Sequence, residues 1–389
     1  MLSNALTELL KIEYPIIQAP MAGGVTTSKL VAEVSNAGGL GMIGAGYLTP
    51  HQAREQVREI NQLTDKPFGV SLFVPEEFDL IEGEVSSANH ALQSIRNQLT
   101  LSPKEQFDFP ATDGVQEVFT DHIQVVIGEK VPICSFTFGI PSKEIIADLK
   151  RNNVFLIGTA TTVEEAIENE KAGMDAIVVQ GSEAGGHRGS FMDGNQEKLI
   201  GLMSLVPQVV DQVSIPVIAA GGIMDGRGLM ASFCLGAKGV QMGTAFLTCE
   251  ESGAQETHKA AILNAHEDQT VLTRSFSGKW ARGIENRFIT EMKIHERFLP
   301  DFPIQNVLTQ DIRKASAIQK NTEFMSLWSG QSPRLAKNQT VKKLIQSIIE
   351  DVKKINLNLH KHRDGSCASE AREPSLWFPV TKIKKLKSL

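Results

Sequence analysis

Ala176-Ile-Val-Val-Gln-Gly-Ser-Glu-Ala-Gly-Gly-His-Arg-Gly189 joins a short apolar run to a glycine-rich loop. The run does not alternate with polar residues, the pattern of a parallel strand covered by helices on both faces. Glycines at 181, 185, 186 and 189 let the following loop turn tightly and expose its backbone. His187 stands in the middle of that loop. An imidazole titrates near neutrality and can accept a carbon-bound proton at working pH, so His187 is the candidate catalytic base. Most histidines of a chain are surface residues; this one is singled out from nine by its strand-end position. Arg188 and Glu183 are charged loop residues, which are usually solvated.

Seven further runs of the same kind flank it. Before it come Tyr14–Pro20, Gly39–Gly46, Phe68–Val74, Ile133–Gly139 and Val154–Ala160; after it come Pro216–Gly222 and Gly239–Leu247. Helical patterns separate most of them: Ser28–Ala37, Pro50–Leu63, Ser142–Asn152, Val163–Ala172 and Asp225–Leu235. Eight apolar strands with helices between them predict an α/β protein of the (β/α)8 TIM-barrel class, in preference to an open doubly wound sheet. Residues 75–132, with helical stretches near Ser87–Leu99 and Val115–Ile127, form an excursion after the third strand. Residues 1–270 are expected to be the barrel. Residues 271–340, irregular around Ser275–Pro303, are expected to cap its mouth. A terminal helix at 341–355 is expected to pack on the barrel, and 356–389 is an atypical polar tail ending in the basic run Lys382–Lys387.

Composition sets the broad class. The 389 residues are 41% hydrophobic and 22% charged, with a formal charge of −6, which suits a soluble enzyme without general affinity for nucleic acid or anionic membrane. The start has no signal-peptide layout and no run reaches membrane-spanning length, so a cytoplasmic monomer or homodimer is expected. Cys134, Cys234, Cys249 and Cys367 lack metal or disulfide spacing. Cys134 and Cys234 lie in apolar runs and are expected to be buried thiols.

In a parallel barrel the site forms at the carboxyl ends of the strands. The first ends Gln18-Ala-Pro-Met-Ala-Gly-Gly24, the seventh Gly221-Gly222, and the eighth carries Gln241-Met-Gly-Thr244. Small residues at the last two ends, each close to a helix start, form a phosphate cradle in which helix dipoles and the Thr244 hydroxyl assist. A dinucleotide fingerprint, a G-x-S-x-G elbow and a set of metal ligands are all missing from these ends. A phosphate-bearing organic cofactor and one base remain.

These motifs resemble the nitronate monooxygenases, FMN-dependent barrels. The likeness runs through Pro15–Gly23, Ser35–Gly41, Gln180–Gly189, Ile218–Gly226 and Gly239–Thr244, and on into Phe276–Gly283 and Trp328–Ser332, over roughly residues 8 to 350. It implies FMN contacts from Ala19, Pro20, Met21, Ala22, Gly23, Ser71, Gln180, Gly185, Gly186, Gly221, Gly222, Gln241, Met242, Gly243 and Thr244, with His187 as base and no metal. Where the family commonly reads Gly-Val-Asn, this chain reads Gly69-Val70-Ser71, and serine lacks the amide's donor–acceptor pair. The implied reaction is oxidation of an alkyl nitronate by O2 to an aldehyde or ketone plus nitrite, a detoxification. His187 would take the α-proton of a neutral nitroalkane first. An FMN-dependent enoyl-[acyl-carrier-protein] reductase using NAD(P)H shares the Glu-Ala-Gly-Gly-His core and stays open as an alternative. So does a flavin-binding protein without turnover. The Phe136–Ser142 and Phe276–Lys279 segments look more like the monooxygenase.

Overall fold

The computed structural model describes residues 2–192 and 198–363. Up to residue 242 it contains nine strands: β1 (Ile16–Gln18), β2 (Gly41–Gly44), β3 (Phe68–Phe73), β4 (Ile133–Thr137), β5 (Phe155–Ala160), β6 (Ala176–Gln180), β7 (Gly186–His187), β8 (Val217–Ala220) and β9 (Gly239–Met242). All but β7 form one parallel sheet in the order β1-β9-β8-β6-β5-β4-β3-β2. Its two ends meet. Gln18 N–H donates to the Leu40 carbonyl and Leu40 N–H to that of Ile16, both at 2.9 Å. The Gln18 side chain adds a bond from Met42 N–H at 3.0 Å. The (β/α)8 barrel is therefore closed, and β8 and β9 are its seventh and eighth strands.

Strand residues alternate between two environments, as a period of two requires. Ile177, Val179, Val217, Ala219 and Val240 face the helices. Ile17, Met42, Ile157, Val178 and Ile218 fill the barrel interior together with Leu6 and Leu10. Those two leucines come from the helix Ala5–Leu10, which plugs the amino-terminal end. Asn4 caps it, accepting from Leu6 N–H while Thr7 Oγ1 accepts from Asn4 N–H. The sequence pattern had missed this helix, because six residues are too few to show a helical period.

The helices between strands begin and end where their capping residues stand. Lys143–Arg151 starts at Ser142 and stops at Asn152; Pro50–Leu63 opens with a capping box between Thr49 and Gln52. The excursion after β3 contains the helices Glu82–Gln98 and Thr112–Gly128. Past β9, β10 (Thr270–Thr273) and β11 (Ala281–Ile284) pair antiparallel, and β7 joins as the third strand of this small sheet. Excursion and cap share a hydrophobic cluster of their own, in which Leu92 and Ile95 meet Phe288, Leu308 and Ile312. The buried Arg96 ties them, donating to Asp311, Asn89 and the Leu308 carbonyl at 2.9, 2.7 and 2.9 Å.

The helix Val341–Arg363 places Val341, Ile345, Ile348 and Val352 in the same cluster as β8, β9 and the helix Gly226–Cys234. It runs past residue 355. Beyond Arg363 the tail, with Cys367 and the basic run, lies outside the described residues. One thiol expectation is corrected. Cys134 is buried, but Cys234 is exposed, because its helix buries every third residue, Gly226, Leu229 and Ser232, and Cys234 falls on another face. Among the described residues no helix is long and apolar enough to cross a membrane.

Candidate active site

The carboxyl ends of the strands and the cap enclose a cavity with an empty volume of about 1340 Å³, counting its open mouth. A concave, mostly apolar space with a few polar groups is the ordinary setting of a small-molecule site. Its position follows from the topology: parallel strands all deliver their ends to one face.

Gln180, the last residue of β6, clips the glycine loop shut. Its Oε1 accepts from Gly189 N–H and its Nε2 donates to the His187 carbonyl, both at 2.9 Å. Gly186, at φ 73°, turns the chain into β7, where His187 pairs with Ala281 and Arg188 N–H donates to the Trp280 carbonyl at 2.7 Å. The charged loop residues are tied into the fold, Arg188 buried and Glu183 half-buried. Arg188 is buried, with Nη1 donating to the Gly181 carbonyl at 2.7 Å. Glu183 accepts from Leu202 N–H at 2.9 Å, at the start of the helix Leu202–Val210. Arg282 donates to the Ser182 carbonyl at 2.9 Å. Buried cations and a carboxylate thus satisfy the carbonyls and amides that an irregular loop leaves open.

His187 lies at the cavity wall. Its Nε2 is 2.9 Å from Ser277 Oγ, whose hydroxyl has the Lys279 carbonyl as a second acceptor at 3.1 Å. Rings of Phe138 and Trp328 flank it with centroids 5.9 and 5.5 Å away. Burial, reinforced by the cations of Lys279 and Arg313, pushes its pKa down to about 3, so the ring is neutral at working pH. Lys279 is held over the Phe138 ring at 4.6 Å and bonds Glu76 Oε2 at 2.6 Å.

Opposite, Gly221 and Gly222 end β8 with φ of 136° and 64°, a conformation closed to most side chains. Gly243 and Thr244 follow β9; Thr244 Oγ1 accepts from Gly330 N–H at 2.9 Å, which leaves its hydrogen to donate. Helix dipoles contribute less here than the sequence suggests. The helix after β9, Thr244–Leu247, is a single turn, and the one after β8 already has the Asp225 carboxylate at its amino terminus.

Of the candidate residues, Ala19, Pro20, Met21, Ala22, Ser71, Gln180, Gly185, Gly186, Gly221, Gly222, Gln241, Gly243 and Thr244 line the cavity with His187. Two do not. Met242 is buried against the helices, since strand alternation gives the cavity Gln241 instead, and Gly23 sits on an exposed turn at φ 88°. Tyr47, Phe73, Phe138, His258, Trp328, Gly330 and Ser332 also line it and had not been singled out; Ser277 and Lys279 act from just behind. Phe138, Ser277, Lys279, Trp328, Gly330 and Ser332 lie in segments that carry the family likeness, and that was the signal to follow. Among the described residues no three potential metal ligands converge.

A closed (β/α)8 barrel whose strand ends converge on a cavity with a neutral imidazole in its aromatic wall defines a barrel enzyme. A nitronate monooxygenase family model matches residues 3–351, and the chain belongs to that family of oxidoreductases. A Staphylococcus aureus (strain Newman) protein described as a probable nitronate monooxygenase is 55% identical over 353 residues, 90% of this chain and 98% of that one. The nitroalkane oxidase from Streptomyces ansochromogenes is similar in structure, with a TM-score of 0.84, 38% identity, and coverage of 92% of this chain and 100% of that one. FabK from Thermotoga maritima is also similar, with a TM-score of 0.73, 32% identity, and coverage of 93% and 100%.

Proposed function

We propose that this enzyme oxidises alkyl nitronates with O2 to an aldehyde or ketone plus nitrite, with FMN as its cofactor. The observation that carries the reading is the His187 imidazole, set between Phe138 and Trp328 in the wall of a cavity that also holds a glycine-rich cradle, while the cavity's other histidine, His258, is engaged with the Trp328 carbonyl at 3.0 Å. The residues fit the cofactor: Gly221, Gly222, Gly243 and the Thr244 hydroxyl would hold its phosphate, and Ala19, Pro20, Met21, Ala22, Ser71, Gln180, Gly185, Gly186 and Gln241 would border it. When bound, the flavin supplies the redox chemistry.

The chain's own part is to orient, exclude water and manage one proton. With the Ser277 hydrogen on the Lys279 carbonyl, His187 Nε2–H donates to Ser277 Oγ and the lone pair is left on Nδ1. Nδ1 takes the α-proton of a neutral nitroalkane. Phe138 and Trp328 keep water from the ring. A base with a pKa of about 3 is weak, so proton removal is the slow route and nitronates that arrive deprotonated are the better substrates. Removal of toxic nitronates in the cytoplasm is the cellular role that goes with this activity.

The test is nitrite release and oxygen uptake with propionate 3-nitronate on purified flavin-loaded protein. NAD(P)H oxidation with crotonyl thioester, without nitrite from any nitronate, would refute the reading in favour of an enoyl reductase. Loaded protein inert to both would be a flavin carrier.

A further inference from the structure

A second chamber adjoins the cavity at His187, with an empty volume of about 970 Å³ counting its mouth. The excursion helix Thr112–Gly128 gives it Val115, Val118 and Phe119, and the cap gives it Phe302 and Val307. Of the polar groups on its wall, Glu76 bonds Lys279 Nζ, Asn306 accepts from Arg313 Nη2 at 2.8 Å, and His122 Nδ1 lies 2.8 Å from the Val118 carbonyl, with His122 Nε2 the one buried side-chain atom among these left unpartnered. A space walled by hydrocarbon, whose carboxylate and amide already have partners, suits an apolar chain rather than a charged group.

The two spaces share Gly46, Tyr47, Phe73 and Phe138. Phe138 is the partition's centre. Its ring touches that of His187 on one side, and those of Phe73 and Phe302 at 4.6 and 6.0 Å on the other. Its backbone is held at φ 72°, a conformation that a bulky residue adopts at a cost and that clusters at ligand clamps. Gly46 is required here as well, because a Cβ would stand 2.3 Å from the Phe73 ring.

We propose that this chamber is a tail-binding subsite: it receives the hydrocarbon chain of the nitronate whose head group lies at His187, and Phe73 and Phe138 form the gate between them. This rests on the nitronate reading above. The preferred substrates are then unbranched nitronates of medium chain length. Each methylene buried past the gate should raise kcat/KM about fourfold, the free energy of burying one CH2.

The experiment measures kcat/KM of the flavin-loaded enzyme for primary nitronates of two, four, six and eight carbons. The same series is run on Val307→Trp and Val115→Trp, each of which fills the chamber from a different wall. The eight-carbon to two-carbon ratio is expected to exceed about tenfold in the wild type and to fall several-fold in the variants. Melting curves establish which variants fold, and either one suffices. A wild-type ratio within twofold of one, or a ratio unchanged in a folded variant, overturns the subsite while leaving nitronate oxidation intact. Absence of turnover with every nitronate overturns the underlying reading, and the subsite with it.

Discussion

Removing the Lys279 charge tests how the site sets the basicity of His187. Burial is the largest cause of its low pKa, and Lys279 is the larger of the two cationic causes. With a pKa of about 3, Nδ1 is unprotonated from pH 8 to pH 5, so kcat/KM for nitroethane should be flat across that window. An ordinary imidazole of pKa ~6.5 would be roughly 97% neutral at pH 8 but roughly 3% at pH 5, a fall of about thirtyfold. Lys279→Met leaves the burial in place and removes a cation, so the pKa must move up. Two effects follow with opposite sign. The base strengthens, and with a Brønsted slope of about one half each unit gained raises the high-pH plateau about threefold. The neutral fraction at low pH falls, so an acid limb enters from below. Steady-state oxygen uptake with freshly dissolved nitroethane measures both, and ethyl nitronate, which needs no base, is the control. A wild-type acid limb near pH 6.5, or a Lys279→Met profile that matches the wild type at every pH, refutes the electrostatic account.

His187→Asn should abolish nitroethane turnover while retaining flavin and much nitronate activity; undiminished nitroethane oxidation would remove the base assignment. Ser277→Ala takes away the bond that fixes the ring and should lower nitroethane kcat about tenfold with little change for ethyl nitronate, since general-base terms are worth ~10²–10⁴ in all. In Gly185→Ala the new Cβ would stand 2.5 Å from Gly330 N, so the loop and the cap must part. Lower flavin content at equal protein should result, read from the visible absorbance. His258, whose pKa burial pushes down to about 4, folds as the neutral form. Its contribution is whole above pH ~6.5 and shrinks as pH falls toward 4, by about 2 kcal/mol at pH 5. Urea denaturation at pH 7 and pH 5 should lose that difference in His258→Gln, and an equal pH loss in both proteins would contradict it.

How far the sequence carried this argument depends on element length. The eight barrel strands were legible because each is a short apolar run with turn residues at its end, and Ser142 and Asn152 marked the ends of one helix. The helix Leu202–Val210 was not seen. It is apolar on most positions and holds Pro207, so it presents neither a clean stripe nor an uninterrupted pattern. β7, β10 and β11 have two to four residues each, below what any period can reveal. The strand-end residues of the site were readable from position alone. Met242 was misplaced by taking a contiguous motif as a contiguous surface, when alternation gives the cavity every second residue. Phe138, Ser277 and Lys279 acquire their roles from contacts across about 50 to 200 residues of chain, and no local pattern encodes those.

The Glu-Ala-Gly-Gly-His loop does not separate nitronate oxidation from enoyl reduction, and the proposal of the former draws on the groups around its histidine. Reduction of an enoyl double bond delivers a hydride and a proton to carbon, so a histidine serving it must carry a proton to give. A ring whose pKa burial and two cations push down to about 3 is neutral at pH 7, which makes it a poor donor. Oxidation of a nitronate asks nothing of that kind, because the substrate is already an anion whose charge is shared between the α-carbon and the two oxygens. The same burial and the same Lys279 that disable the acid leave the nitronate route untouched. That proposal therefore rests on the burial of His187 and on the cations of Lys279 and Arg313, which push its pKa down, and a direct titration addresses it. A His187 that holds its proton up to pH 6 in the flavin-loaded enzyme, followed by NMR of the ring, would return the reductase to contention. One that is neutral down to pH 5 leaves reduction without its proton source.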